Sequence, residues 1–293
     1  MANETEKQID IRQYQAELLS ILDSFVEICS RHQLEYYLNA GTLLGAVRHR
    51  GFIPWDDDVD LCMPRTDYER FLAVAPDELP EHLRIVWFGI QGEDEHPQYH
   101  CQIRDMDYPV VQMTASVPRR TYAWIDVFPL DGMPASPLLR AGHGLRLLYL
   151  RMRMQLSMFD RNVNINRKNR PFHEKALIWF FSRTGWGGKT NPYSVMRKLD
   201  RALKKYPESE CPLWVNFMGA YKLKETAAAA QYRDGIPYSF EGRQLTGPKN
   251  ADAVLGKIYG KYMTPSKPPD SDSHQLYPDS ERKGAGNNEG TDT

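Results

Sequence analysis

Four carboxylates, Asp56, Asp57, Asp58 and Asp60, fall within five positions of the chain. On a strand, residues i and i+2 share a face, so Asp58 and Asp60 point the same way. Carboxylates held so close repel unless a cation sits between them. Oxygen ligands of this kind suit Mg²⁺ or Mn²⁺, which in turn hold phosphate oxygens. The plainer alternative is a solvated acidic turn. It fits poorly, because the cluster runs straight into Val59 and the apolar Leu61-Cys62-Met63. A third carboxylate would complete the set, and Asp126, in Trp124-Ile125-Asp126-Val127-Phe128-Pro129, is the best candidate. A charge inside so apolar a strand needs a partner if it is buried. A strand residue facing solvent is the competing reading, and Asp105 and Asp107, before Pro109, are rivals for the role.

Upstream stands Gly41-Thr42. Glycine lets backbone amides approach a phosphate closely, and a following helix offers its positive N-terminus. Arg48, His49 and Arg50 crowd the same segment, and Arg65 follows the acidic strand. Arginine forks bind phosphates in a bidentate way, although each of these residues could equally be a counter-ion for the aspartates.

These residues must be held by elements that the apolar spacing outlines. Ile11, Tyr14, Leu18, Leu22, Phe25 and Cys29 recur at helical steps. Leu34 to Leu38 reads as a short strand, Gly41-Thr42 as a turn, Leu43 to Arg50 as a helix ending at Gly51, and Val59 to Met63 as a second strand. Thr66 with Glu69 forms a possible capping box for the next helix. Segments 84–88, 99–104, 110–113 and 122–128 are rich in aromatic and β-branched residues and predict strands. Helices are expected over 138–159, 172–181 and 192–206, then a hairpin around Glu241-Gly242 and a last helix over 251–262. The four alanines from Ala227 to Ala230 read as an exposed helical turn. The expected organisation is one catalytic domain over residues 1–265, with a helical insertion near 138–206 and a disordered tail over 266–293.

With 37 Lys and Arg against 38 Asp and Glu, the chain is not a generally basic nucleic-acid binder. The average hides a bias, since residues 138–206 hold 16 Lys or Arg and only three acids. That segment is either a set of solvated helical faces or a surface for anionic acceptors and a peripheral contact with an anionic membrane. Cys29, Cys62, Cys101 and Cys211 form no CxxC pair and read as core thiols in a reducing compartment. The polar start MANETEKQID lacks the apolar run of a signal peptide, which predicts a cytoplasmic protein.

The stretch from Gly41 through Leu61, GTLLGAVRHRGFIPWDDDVDL, resembles the signature of the LicD family of bacterial phosphocholine transferases, related to the fukutin group. Met63-Pro64-Arg65, Ile125 to Pro129 and Tyr259-Gly260-Lys261-Tyr262-Met263 extend the similarity, which spans most of residues 10–265. The resemblance implies an α+β fold: a nucleotidyltransferase-like small mixed β-sheet flanked by helices, with an additional helical region. It implies transfer of a phospho-alcohol from a CDP-activated donor such as CDP-choline to a cell-surface glycan or teichoic-acid precursor, with release of CMP. In that scheme Asp58 and Asp60 match the metal pair, and Asp126 is the third carboxylate. Gly41 and Thr42 match the phosphate-side turn, and Arg48 and Arg65 are pyrophosphate contacts. Choline recognition would call for aromatic rings, and Trp55, Trp87, Tyr99, Tyr122 and Trp124 lie near the site in sequence. Phosphoribitol transfer, a sugar-nucleotide glycosyltransferase and an inactive glycan-binding module are the competing functions.

Overall fold

The computed structural model describes residues 9–90, 98–113, 119–158, 179, 190–264 and 276–279. Helix α1 (Ile11–His32) follows the expected spacing and buries Tyr14, Leu18, Ile21, Leu22, Phe25 and Cys29. The Asp10 carboxylate caps it, accepting from the amides of Arg12 and Gln13 at 2.9 and 3.1 Å. Strand β1 (Tyr37–Leu38) is shorter than expected, and helix α2 (Ala40–His49) starts earlier, so Gly41 and Thr42 lie inside its first turn rather than before it. Strand β2 (Asp60–Pro64) leads directly into α3 (Arg65–Glu78). No capping box forms there. The Thr66 amide and hydroxyl both donate to Glu208 Oε1, at 3.1 and 2.5 Å, so a distant carboxylate takes the place of Glu69.

Strand β3 (Leu83–Val86) pairs with β4 (Cys101–Gln112), which merges two expected strands across an irregularity between Asp105 and Pro109. Strand β5 (Arg119–Met133) is the long central member. It pairs in parallel with β2 and antiparallel with β4, giving the order β1-β2-β5-β4, which β10 (Leu276–Pro278) extends on the far side of β4. The far end of β5 pairs with β6 (Leu213–Val215), and β6 with β7 (Thr226–Ala228). The alanine run is therefore divided: Ala227 and Ala228 lie on β7, and only Ala229 and Ala230 enter a short 3₁₀ turn, Ala229–Gln231, in which Ala230 is exposed. Ala227 lies opposite Trp214 and is buried, as is Ala229, because small side chains leave room for the indole. Strands β8 (Ile236–Phe240) and β9 (Arg243–Gly247) form the expected hairpin, and Glu241 and Gly242 both take positive φ, as a primed turn requires.

Helices α4 (Pro137–Ser157) and α5 (Pro192–Leu203) pack on each other, and α6 (Ala251–Tyr259) ends at Gly260. The helix expected over 172–181 lies outside the described residues except at Trp179. Within the tail expected to be disordered, Leu276–Pro278 forms strand β10 on the end of β4. An apolar segment there finds backbone partners that composition alone does not reveal.

A large core lies between the sheet and helices α1 and α3, and a smaller one joins α4 and α5 to Phe88, Tyr99, Met133 and Phe217. All four cysteines are free and buried. The architecture is α+β: among the described residues, six helices accompany a curled mixed sheet. Among the described residues, no helix is long and apolar enough to cross a membrane.

Candidate functional site

The parallel pairing of β2 with β5 places Asp60 opposite Asp126, on the same sheet face. The first turn of α2 is tied to this point twice. The Asp60 amide donates to Thr42 Oγ1 at 2.8 Å, and the Asn39 amide donates to the Asp60 carbonyl at 3.0 Å. Ala40 accepts positive φ (42°) at the junction, a conformation that costs a non-glycine residue on the order of 1 kcal/mol or more. Gly41 has a steric reason to be glycine, because a Cβ there would stand 3.0 Å from Asp56 Oδ2. The loop before β2 is fixed in turn by Gln15 of α1, whose amide nitrogen donates to the Asp56 carbonyl at 2.8 Å.

Asp56, Asp57 and Asp58 each present an oxygen, and the three oxygens lie within 4.8 Å of one another. Burial, and then the charges of Asp58, Asp126, Asp56 and Glu225, push the Asp60 carboxyl well above the usual range. Asp126 behaves in the opposite way. Burial alone would raise it, but donors outweigh that. His100 Nε2 and Gln102 Nε2 stand 2.9 and 2.8 Å from Oδ1, the Trp124 indole donates to Oδ2 at 2.9 Å, and the carboxyl is held below its ordinary value. The donor set fits a divalent cation, because it consists of hard oxygens whose mutual repulsion such an ion would relieve. The structure thus brings Asp60 and Asp126 together and adds Asp56 and Asp57 beside Asp58.

The two arginines behave differently from the aspartates. Arg48 lies in the last turn of α2, away from Gly41 and Thr42, and donates to the Tyr262 carbonyl at 3.1 Å. Arg65 departs from the expected pyrophosphate contact. Its guanidinium is buried in a bidentate pair with Asp131 at 2.7 and 2.9 Å and reaches Asp200 at 3.3 Å, so its charge is already committed inside the fold.

Other residues enter that spacing did not single out. His100 and Gln102 reach Asp126 only through the β4–β5 register, which no local pattern encodes. Glu225 is buried, and burial pushes it up to about 7. It comes from a 3₁₀ turn, Lys222–Glu225, late in the chain. The five aromatic residues near the site in sequence do not share one place. Trp124 binds Asp126, and Tyr99 donates to Asp200. Trp87 and Tyr122 line a cavity of about 520 Å³ along β3 together with Arg84 and Arg104. Arg104 also donates to Gln102 Oε1 at 2.7 Å, so the cavity wall is joined through Gln102 to Asp126.

Residues 33–131 match the LicD/FKTN/FKRP nucleotidyltransferase domain. That span holds Asp56, Asp57, Asp58, Asp60 and Asp126 together with α2, β2 and most of β5. Over 273 residues the chain is 29% identical to the lipopolysaccharide cholinephosphotransferase LicD of Haemophilus influenzae, covering 91% of this chain and 95% of that protein. Uncharacterised proteins of Rickettsia typhi and Rickettsia prowazekii are 37% and 36% identical over 59 residues, 20% of this chain.

Proposed function

We propose that this chain, whose residues 33–131 match the LicD/FKTN/FKRP nucleotidyltransferase domain and which resembles a lipopolysaccharide cholinephosphotransferase along most of its length, transfers phosphocholine from CDP-choline to a hydroxyl of lipopolysaccharide and releases CMP. The observation that carries this reading is the registered pair Asp60 and Asp126, with Asp56, Asp57 and Asp58 beside it at the first turn of α2. Asp58 and Asp60, with Asp126 alongside, would hold Mg²⁺ or Mn²⁺. Bound there, the ion would neutralise the donor pyrophosphate and the charge that develops on CMP.

The protein's own groups supply position and a proton acceptor. Gly41 and Thr42 keep the start of α2 close to the carboxylates, where backbone amides can face a phosphate. Asp126, held ionised by three donors, orients the acceptor hydroxyl and takes its proton. The hydroxyl oxygen forms a bond to the phosphorus of phosphocholine as the bond from that phosphorus to the CMP oxygen breaks. The reading places the enzyme on the cytoplasmic side, with its acceptor at a membrane.

The test is mass spectrometry of lipopolysaccharide lacking choline after incubation with CDP-choline and Mg²⁺. The expected result is a mass gain of one phosphocholine together with CMP release. Turnover of UDP- or GDP-sugars instead would overturn it, as would CMP release only from CDP-ribitol. Full activity of Asp58→Asn under saturating Mg²⁺ would remove Asp58 from the metal site.

A further inference from the structure

Helix α4 has two apolar faces, and among the described residues only one of them is packed. His143, Gly144, Leu147 and Met154 face the smaller core. On the opposite side, at helical spacing, Leu138, Leu145, Tyr149 and Met152 are 82%, 68%, 52% and 49% exposed. A contiguous apolar stripe on an otherwise cationic helix is seldom left to water, so this exposed stripe calls for a covering phase.

The charges around the stripe identify that phase. The 21 residues of α4 include no Asp or Glu. Of its four arginines, Arg140 and Arg151 are turned to backbone carbonyls, Arg140 to those of Pro134 and Ala135 and Arg151 to those of Phe217 and Gly219. Arg146 and Arg153 flank the stripe on one side. Next to Arg146, a groove of about 360 Å³ between α4 and α5 is lined by Arg146, Leu150, Lys198 and Arg201. Pairing with a second copy through this face would set the same cations against one another, which opposes association.

We propose that α4 is an interfacial helix that lies on an anionic phospholipid surface. Leu138, Leu145, Tyr149 and Met152 enter the headgroup boundary, while Arg146, Lys198 and Arg201 take lipid phosphates. The inference does not depend on which group the enzyme transfers, but it gives the enzyme a means of meeting a lipid-borne acceptor.

The experiment is co-sedimentation of the full chain with vesicles of phosphatidylcholine alone and of phosphatidylcholine mixed equally with phosphatidylglycerol. Binding to the mixed vesicles is expected to be about tenfold stronger or more, and to weaken as salt rises. The double variant Leu145→Glu, Met152→Glu lowers that binding about tenfold or more. The triple variant Arg146→Gln, Lys198→Gln, Arg201→Gln flattens the salt dependence. All five side chains are exposed, so thermal midpoints and transfer to a lipid-free acceptor oligosaccharide should be unchanged, which separates this test from that of the transferase activity. Equal binding to both vesicle types overturns the proposal, as does no binding to either. So does a dimer, seen by light scattering, that the Leu145/Met152 variant dissociates.

Discussion

Two buried groups of charges sit on β5, five residues apart and therefore on opposite faces, one around Asp126 and one around Asp131. The Asp131 group is closed. Arg65 is shared between Asp131 and Asp200, and Lys204 bridges Asp200 and Glu69 at 2.7 and 2.6 Å. The Asp126 group is open to a cation, because burial and then the carboxylates gathered next to it raise Asp60. Buried charge that is satisfied from within locks elements together, here α3 to β5 and α5. Buried charge left in mutual repulsion is poised for something that arrives from outside.

The sharpest way to break this contrast is Asp60→Asn. Transfer should fall by roughly a thousandfold, as for the loss of a group that stabilises developing charge, while urea unfolding of the metal-free protein shows equal or greater stability. A loss of stability as large as the loss of activity would make Asp60 a structural residue.

Arg65→Ala is the mirror experiment. It leaves Asp131 and Asp200 buried without their guanidinium and should cost about 3–5 kcal/mol in denaturant unfolding. If stability stays unchanged while donor KM rises, Arg65 belongs to the donor site after all.

Trp124→Phe removes one of three donors from Asp126 and should cost about 1–2 kcal/mol. The acid limb of the pH–rate profile should also move to higher pH, because the carboxylate loses a group that favours its ionised form.

The smallest effect concerns pH. Asp60 and Glu225 both have folded-state values raised above the unfolded ones, so the unfolded chain releases those protons first. Metal-free stability should therefore fall as pH rises from about 4.5, and Glu225 contributes that slope up to about 7. Asp126 has the reverse sign, and its contribution is lost only in strong acid. Mg²⁺ should raise the thermal midpoint more at pH 8 than at pH 5, and equal increments would argue against binding at Asp60.

What could be read from residue order was local. The apolar spacing of α1, the hairpin at Glu241-Gly242 and the core cysteines all lie within short windows, and each has its expected structural place, whereas the acidic run stands mostly before its strand, which begins only at Asp60. What could not be read was pairing between distant segments. Arg65 looks like a phosphate ligand until β5 brings Asp131 to it, and Thr66 looks like a cap until Glu208 arrives. His100 carries no signal in its own surroundings, because its meaning comes from facing Asp126 across two strands. The Asp56–Asp60 run was conspicuous because repulsion between adjacent residues is visible without a fold.

The last strand has a consequence for how the chain is made. Leu276 of β10 accepts a hydrogen bond from the Ile9 amide at 3.4 Å and pairs with Gln112 of β4. The region just before α1 is thus clasped by a segment synthesised more than 260 residues later. During translation the β4 edge that β10 will cover stays exposed until nearly the whole chain has left the ribosome. Nascent chains stalled before residue 276 should be the ones that need a chaperone.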